Sequence, residues 1–405
     1  MKSGWEIKPL GELCEFQRGL TYAKSDEVAE SNVVVLRANN VDLETNTLDF
    51  TDLRYIANTI DVPNEKRIKK GSLLICTASG SKSHLGKVAF IDNEYDYAFG
   101  GFMGQITPKP EMEGRYLLHV MTSPAYKDFI AALSDGANIN NLKFNDLRNF
   151  QVAVPSIAEQ RRIVTLLDEA FADIATAKVN AEKNLQNARE LASELSSQIL
   201  SAPSANCTTQ SLEDIVEADC SLSYGIVQPG DEFESGLPIV RPVDLDRPLI
   251  ELDGLKRIDP TLAKGYERTK LKGGEVLLCV RGTTGTLSCA SSALAGANVT
   301  RGIVPIRFNP NCVSQELGYF LMRSAPVQAQ IRAKTYGTAL MQINIRDLRQ
   351  IQIPVPHPSQ QAAIAKALQD AEEQTNRLTE IQAQKLTALD DLKKSLLHQA
   401  FSGQL

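Results

Sequence analysis

The sequence predicts an α/β fold: two mixed α+β globes in pseudo-repeat, joined by two long helices that form an antiparallel coiled coil. Three observations predict it. The chain repeats itself at a spacing of about 200 residues. Each copy begins with short β-branched runs set among turn residues. Each copy ends on a long segment with apolar residues at helical spacing.

The repeat is read directly from the chain. RNFQVAVPSIAEQRRIV (148–164) returns as RQIQIPVPHPSQQAAIA (349–365), an offset of 201. Asp146-Leu147-Arg148 meets Asp347-Leu348-Arg349, Val154-Pro155 meets Val355-Pro356, Gln160 meets Gln361, and Ile163 meets Ile364. Upstream, KPLGEL (8–13) matches QSLEDI (210–215), and KGSLLICTASGS (70–81) matches GGEVLLCVRGTT (273–284). Those offsets are 202 and 203, so small indels separate the copies. Several blocks in one order make a duplicated unit. The boundaries follow: a globe over 1–155, a long helix over 156–205, a second globe over 206–356 and a second helix over 357–405.

Strands are expected at VVVLR (33–37), SLLICT (72–77) and FQVAVP (150–155) in the first globe. The second globe has LPIVRP (237–242), EVLLCV (275–280), GIVPIRF (302–308) and IQIPVP (351–356). Gly, Asn and Asp punctuate these runs as turns do. Helical stretches intervene near 113–134 and 314–335, which gives mixed α/β globes.

The long helices are read from apolar spacing. The first carries Ile163, Leu167, Ala170, Ile174, Ala177, Ala181, Leu185, Ala188, Leu195 and Ile199. The second carries Ile364, Leu368, Ala371, Leu378, Leu389, Leu392 and Leu396. Spacings mostly of three and four with charges between describe a coiled-coil seam. Ser156 and Ser359 are the expected N-caps, with Glu159 completing a capping box. A helix of about 40 residues is about 60 Å long. The second globe starts where the first helix ends, and the second helix leaves that globe, so paired helices run antiparallel. The expected result presents two similar heads at a fixed distance.

Composition narrows the function classes. No run approaches ~18 apolar residues, so no membrane partner is expected. MKSGWEIKPLGEL has no secretory apolar region, and cytoplasm is the default compartment. Seven scattered cysteines without a CxxC pair read as reduced thiols, and four dispersed histidines form no metal cluster. The net charge of −6 argues against nonspecific coating of nucleic acid, while leaving room for a local basic face. Catalytic motifs are missing. ASGSKSHLGKV (78–88) fails as a phosphate loop, because five residues separate Gly80 from Gly86 and Val88 follows Lys87. No GxSxG, HExxH or kinase set occurs. SPAY (123–126) lacks the amide of an amino-methyltransferase motif, and no Gly-rich strand–turn–helix awaits a cofactor.

The most distinctive segments are GANINNLKFNDLRNFQVAVPSIAEQRRIV (136–164), GTALMQINIRDLRQIQIPVPHPSQQAAIA (337–365) and the closing LKKSLLHQAFSGQL (392–405). In that order, over nearly the whole chain, they resemble the specificity subunit of a type I restriction–modification system. The chain departs from the pattern at Ser359-Gln360-Gln361, which stands where Ala158-Glu159-Gln160 stands in the first copy, and at SSQILSAPSA (196–205). The resemblance implies that each globe is a target-recognition domain for one half of a split, asymmetric sequence in double-stranded DNA. It implies that the helices act as spacer and as docking site for methyltransferase (modification) subunits, with a restriction or translocase subunit as an optional further partner. The chain itself is then non-catalytic and holds no cofactor, S-adenosylmethionine being expected on the methyltransferase subunit. The alternative from another class is a coiled-coil scaffold with two protein- or glycan-binding heads, which predicts no salt-dependent DNA affinity.

Base reading needs Arg for guanine and Asn or Gln for adenine, while phosphates need Lys, Arg and hydroxyls. In the first globe the loop candidates are Arg37, Asn39, Asn40, Ser79, Ser81, Lys82, Ser83, His84, Lys87, Asn138, Asn140, Asn141 and Lys143. In the second they are Arg241, Arg281, Thr283, Thr284, Arg301, Tyr336, Thr338, Gln342 and Asn344. Lys82 and Arg281 lead, since each lies in a Gly/Ser/Thr loop just after a buried strand. Turn formation competes as the role of Asn138, Asn140 and Asn141. Arg148 and Arg349, at matching strand entrances, are expected in structural ion pairs.

Overall fold

The computed structural model describes residues 4–80, 84–134, 141–201, 207–338 and 340–405. The chain forms two compact units, Met1–Glu182 with Ala383–Leu405, and Lys183–Gln382. The divisions fall inside the two long helices, so each unit holds one globe and part of each helix.

In the first unit an antiparallel sheet has the order Cys14–Arg18, Met103–Pro108, Leu73–Cys76, Val88–Phe90. A second sheet has the order Glu27–Val28, Arg54–Ile56, Val33–Leu36, Tyr97–Phe99, its last pair parallel. Leu73–Cys76 is buried at every position, as its unbroken apolar run requires. The predicted helical stretch after this sheet is two helices, Gly114–Val120 and Pro124–Ser134. Pro124 cannot donate to a preceding turn, so it starts the second helix instead of continuing the first.

The second unit repeats this plan. Its sheets run Leu249–Ile250, Leu287–Ala290, Val276–Cys279, Ile303–Ile306 and Arg257–Ile258, Leu237–Val240, Asn298–Val299. The parallel pair recurs between Leu237–Val240 and Asn298–Val299. Gln315–Arg323 and Ala325–Ala333 repeat the broken helix pair, with Pro326 in the first turn of the second.

The outermost strands of each globe close it. Glu6–Pro9 pairs antiparallel with Gln151–Val154, and Cys207–Ser211 pairs with Gln352–Pro356. Leu147 and Leu348 of the repeated Asp-Leu-Arg blocks are fully buried beneath these pairs. Their arginines do not make the expected ion pairs. Arg148 lies 5.3 Å over the Phe16 ring, and Arg349 Nη2 donates to the Ser221 carbonyl at 2.8 Å.

Each closing strand feeds a helix of 45 residues, Ile157–Ser201 or Pro358–Ser402. Ser156 caps the first, its hydroxyl 3.4 Å from the Glu159 amide. The second starts two residues before the position that Ser359 as N-cap would give. His357 Nδ1 accepts from the Ser359 amide at 3.4 Å, so the imidazole is the cap and Ser359 lies in the first turn. A glutamine locks each junction, fully buried at Gln160 and half-buried at Gln361. The Gln160 side chain donates to the carbonyls of Glu111 and Pro155, each at 2.9 Å, and accepts from the Glu113 amide at 2.8 Å. Gln361 repeats this, donating to Cys312 O at 2.7 Å and Pro356 O at 3.0 Å.

Within the first unit the helices pair antiparallel. Arg162 donates to the Leu405 carbonyl at 2.8 Å, Lys178 pairs with Asp390, and Lys393 lies 5.0 Å over the Phe171 ring between them. Ile163, Leu167, Ile174 and Ala181 are buried as expected. In the second helix Ile364 and Leu368 are buried as expected, and the seam is rotated from the expected one beyond them. Leu378 and Leu392 are 43% and 47% exposed, whereas Thr375, Leu397 and Ala400 are buried. Thr375 is tolerated there because its hydroxyl donates to Ala371 O at 2.9 Å on its own helix.

Replacing these amides tests the junctions. Gln160→Leu leaves three backbone groups unpaired and should lower the unfolding free energy by ~3 kcal/mol, with Gln361→Leu costing about 2 kcal/mol. Urea denaturation of the full chain measures both; losses under about 0.5 kcal/mol would mean the amides do not hold the helix mouths.

Candidate nucleic-acid interface

Four loops meet at one edge of the first globe, and hydrogen bonds fix where they meet. Gly100 N donates to Leu36 O at 2.9 Å, which ties the turn 100–103 to the start of the 37–40 loop. The Thr77 and Ala78 amides donate to Phe102 O at 2.9 and 3.2 Å, and the Thr77 hydroxyl adds a third bond at 2.9 Å. Leu142 N donates to Thr77 O at 2.6 Å, and Ala78 bridges Asn141.

The second globe repeats four of these six ties, those without counterpart being the Ala78 amide and Thr77 hydroxyl bonds to Phe102 O. Thr300 N donates to Val240 O at 3.0 Å, Val280 N to Gly302 O at 2.8 Å, and Ile343 N to Val280 O at 3.0 Å, while Arg281 bridges Gln342. Close backbone approach is also repeated. A Cβ on Gly19 would lie 2.0 Å from Gly100 O, and one on Gly225 would lie 1.8 Å from Val299 O, so only glycine fits either place. One backbone frame is therefore built twice, and the copies differ in the side chains mounted on it.

The expected residues divide into three groups. Ser81, Lys82, Ser83, Asn138 and Asn140 lie outside the described residues. Others have exposed or half-buried side chains: Asn39, Ser79, His84, Asn141 and Lys143 in the first globe, and Arg281, Thr283, Thr284, Arg301, Tyr336, Thr338 and Gln342 in the second, although the Thr284 hydroxyl is itself buried and the Thr283 hydroxyl donates to Cys279 Sγ at 3.5 Å. Asn344 is exposed, and its Oδ1 accepts from the Tyr336 hydroxyl at 2.5 Å.

The third group is committed inside the globes. Asn40 is fully buried, its amide nitrogen donating to Asp49 O and Asp52 O at 2.8 and 3.0 Å and its oxygen accepting from Arg37 N at 2.8 Å. It builds the loop and has no group left for a base. Lys87 is buried, with Nζ donating to Val41 O at 2.9 Å, and burial pushes its ammonium below the ordinary lysine range. It lines a cavity of about 640 Å³ against Met121, Ile130 and Leu397, away from the loop edge. Arg37 pairs with Asp52 at 2.9 Å. The Asp52 carboxyl is held below its usual range by Asn39 and the Arg37 guanidinium. Arg241 grips Asp244 through two nitrogens, at 3.1 and 2.8 Å. Both arginines order their loops, as matching positions of the two copies.

Two residues at this edge were missed by the sequence reading. Phe102 is 74% exposed in the turn between Gly100 and Met103. Arg18, on the strand beside that turn, is exposed and sits 5.6 Å over the Phe144 ring. Aligning the copies through Gly100 and Thr300 would have found Phe102, because Arg301 in the same turn was already a candidate.

A family model described as "Type I restriction modification DNA specificity domain" matches residues 2–185 and 231–388, once over each copy. The chain belongs to that family. The StySPI type I restriction enzyme specificity subunit of Salmonella potsdam is 31% identical over 186 residues, 45% of this chain and 40% of that protein. The EcoKI specificity subunit of Escherichia coli K12 is 30% identical over 186 residues, 45% of this chain and 39% of that one. The matched part therefore spans well under half the length of these curated relatives. The HsdS subunit from Thermoanaerobacter tengcongensis shares the fold, with TM-score 0.67 and 18% identity over 100% of this chain and 98% of that one. A chain from a structure of "complex assembly" and "conformational transition of the type I R-M system" shares it with TM-score 0.80 and 18% identity, over 100% and 99% of the chains. Among the described residues no helix is long and apolar enough to cross a membrane.

The two neighbouring asparagines give a direct check on this accounting. Asn40→Ala should cost about 2–3 kcal/mol of stability, because two carbonyls and an amide lose a buried partner. Asn39→Ala should cost less than about 0.5 kcal/mol. Urea titration separates them, and equal effects would contradict the assignment of Asn40 to the scaffold.

Proposed function

We propose that this chain is the DNA-specificity subunit of a type I restriction–modification complex. The observation that carries the reading is the loop edge built twice on one hydrogen-bonded frame with different side chains on each copy. Two unlike edges on one chain suit a target of two unlike half-sequences. In the second globe Arg281 and Arg301 suit guanine edges, and Gln342 suits adenine. In the first, Lys143 and Arg18 suit phosphates and Asn39 and Asn141 suit adenine edges.

The chain is non-catalytic in this reading and works with other subunits. Methyltransferase subunits hold S-adenosylmethionine and dock on the long helices. The outward faces of those helices support docking: Leu166, Val179, Leu191, Leu378, Ile381 and Leu392 are each at least 41% exposed. A restriction or translocase subunit joins only where the assembly also cleaves. The chain acts on cytoplasmic DNA.

The test is made on the chain co-purified with its methyltransferase subunits, given methyl donor and genomic DNA, with methylated adenines mapped by long-read sequencing. One split motif, two short blocks around a fixed undefined gap, is expected. A complex that binds the donor yet methylates no such motif would refute the reading. In the same assay Arg281→Ala should cost about 1–3 kcal/mol of discrimination in one half of the motif and leave the other half unchanged.

A further inference from the structure

The turn that joins the two sheets in each globe has the same backbone and opposite chemistry. In the first globe it runs Gly100, Gly101, Phe102, Met103, closed by Met103 N donating to Gly100 O at 2.8 Å. In the second it runs Thr300, Arg301, Gly302, Ile303, closed by Ile303 N donating to Thr300 O at 2.9 Å. Each turn mounts one large side chain on a two-residue tip: a phenyl ring in the first, a guanidinium in the second. A single exposed apolar side chain is ordinary on a protein surface. Phe102 differs from that ordinary case in three ways. Its 74% exposure is the highest among the exposed large hydrophobics. Its carbonyl is pinned by three hydrogen bonds from Thr77 and Ala78, so the ring is carried on a fixed backbone. Its turn lies where the four loops converge, in register with the turn that holds Arg301.

From this juxtaposition we infer that Phe102 is a specificity-determining residue of the first half-target, reading the 5-methyl group of one thymine in the major groove. The inference rests on the DNA-recognition reading above. A phenyl ring offers no hydrogen bond to a base edge. The thymine methyl is the one apolar group the major groove presents, and apolar side chains recognise it by contact. Arg301, in the equivalent turn, would instead donate to guanine O6 and N7. One turn then contributes a different base preference to each half of the target because the side chain on its tip has changed.

The experiment uses the full complex with methyltransferase subunits on oligonucleotides carrying the mapped motif. Single thymines of the first half are replaced by deoxyuridine, which removes only the methyl. The wild type should methylate one such substituted site about tenfold more slowly, within the range of a good base contact. Phe102→Ala should lose that difference, methylating thymine and uracil sites alike, while the second half stays unchanged. Phe102→Leu, still apolar, should keep part of it. Because the ring is exposed, neither variant threatens the fold, and an unchanged urea midpoint verifies this.

Four outcomes overturn the inference. The first is an unchanged motif and uracil response in Phe102→Ala. The second is a uniform loss across both halves, and the third is a first half without thymine. The fourth is a 2-aminopurine signal showing that Phe102 unstacks a base step, which would make it a wedge. All four presuppose a split motif from the wild type, so a wild-type complex with no motif is the separate failure of the parent reading.

Discussion

A glutamine amide at the mouth of each long helix, buried at Gln160 and half-buried at Gln361, fixes how the helix leaves its globe. Gln160 joins three backbone groups from two segments, the end of the closing strand and the loop before Gly114–Val120. An amide in such a place is costly unless its donors and acceptor are paired. Once they are, the strand end, the loop and the first helical turn hold one geometry. The helix departs from a fixed base instead of a hinge, and Gln361 does the same in the second unit. Under the proposed function, two heads that address two sequences would depend on this stiffness at each root.

The duplicated frame explains how one fold serves two sequences. Backbone bonds between the loops do not depend on side chains, so they survive divergence between the copies. Gly19 and Gly225 persist because a carbonyl occupies the space any Cβ would need. Arg37 and Arg241 persist as loop-ordering cations, although their acidic partners come from different places, Asp52 and Asp244. Side chains that face outward from the frame carry no such duty. Ala78 stands where Arg281 stands, and Gly101-Phe102 stands where Arg301-Gly302 stands. Sequence recognition can therefore change at the tips without disturbing the packing beneath.

Charge supports the same division. Net charge is −6, and several arginines are neutralised within the globes. Arg307 shows the pattern strongly: it is nearly buried and paired with Glu217 and Asp219. Among the described residues the exposed cations at the loop edges are few, so under the proposed function base contacts would carry more of the choice of site than phosphate contacts.

The sequence by itself determined the repeat, most of the strands and both long helices. Those depend on local apolar periodicity and on blocks recurring in order, which a linear chain displays in full. It also determined the family, through DLR…VP…Q blocks that hold the helix mouths. The tertiary structure alone decided which polar residues stay exposed and which are committed inside the globes. Asn39 and Asn40 are neighbours of one type, yet one faces solvent and the other is enclosed by Asp49 and Asp52 carbonyls. Lys87 follows a glycine like a loop lysine, but its ammonium meets Val41 O inside the globe. The rotated seam at Leu378 and Leu392 and the exposed ring of Phe102 have the same cause. Which face of a segment meets solvent is set by partners distant in sequence, and spacing along the chain does not encode them.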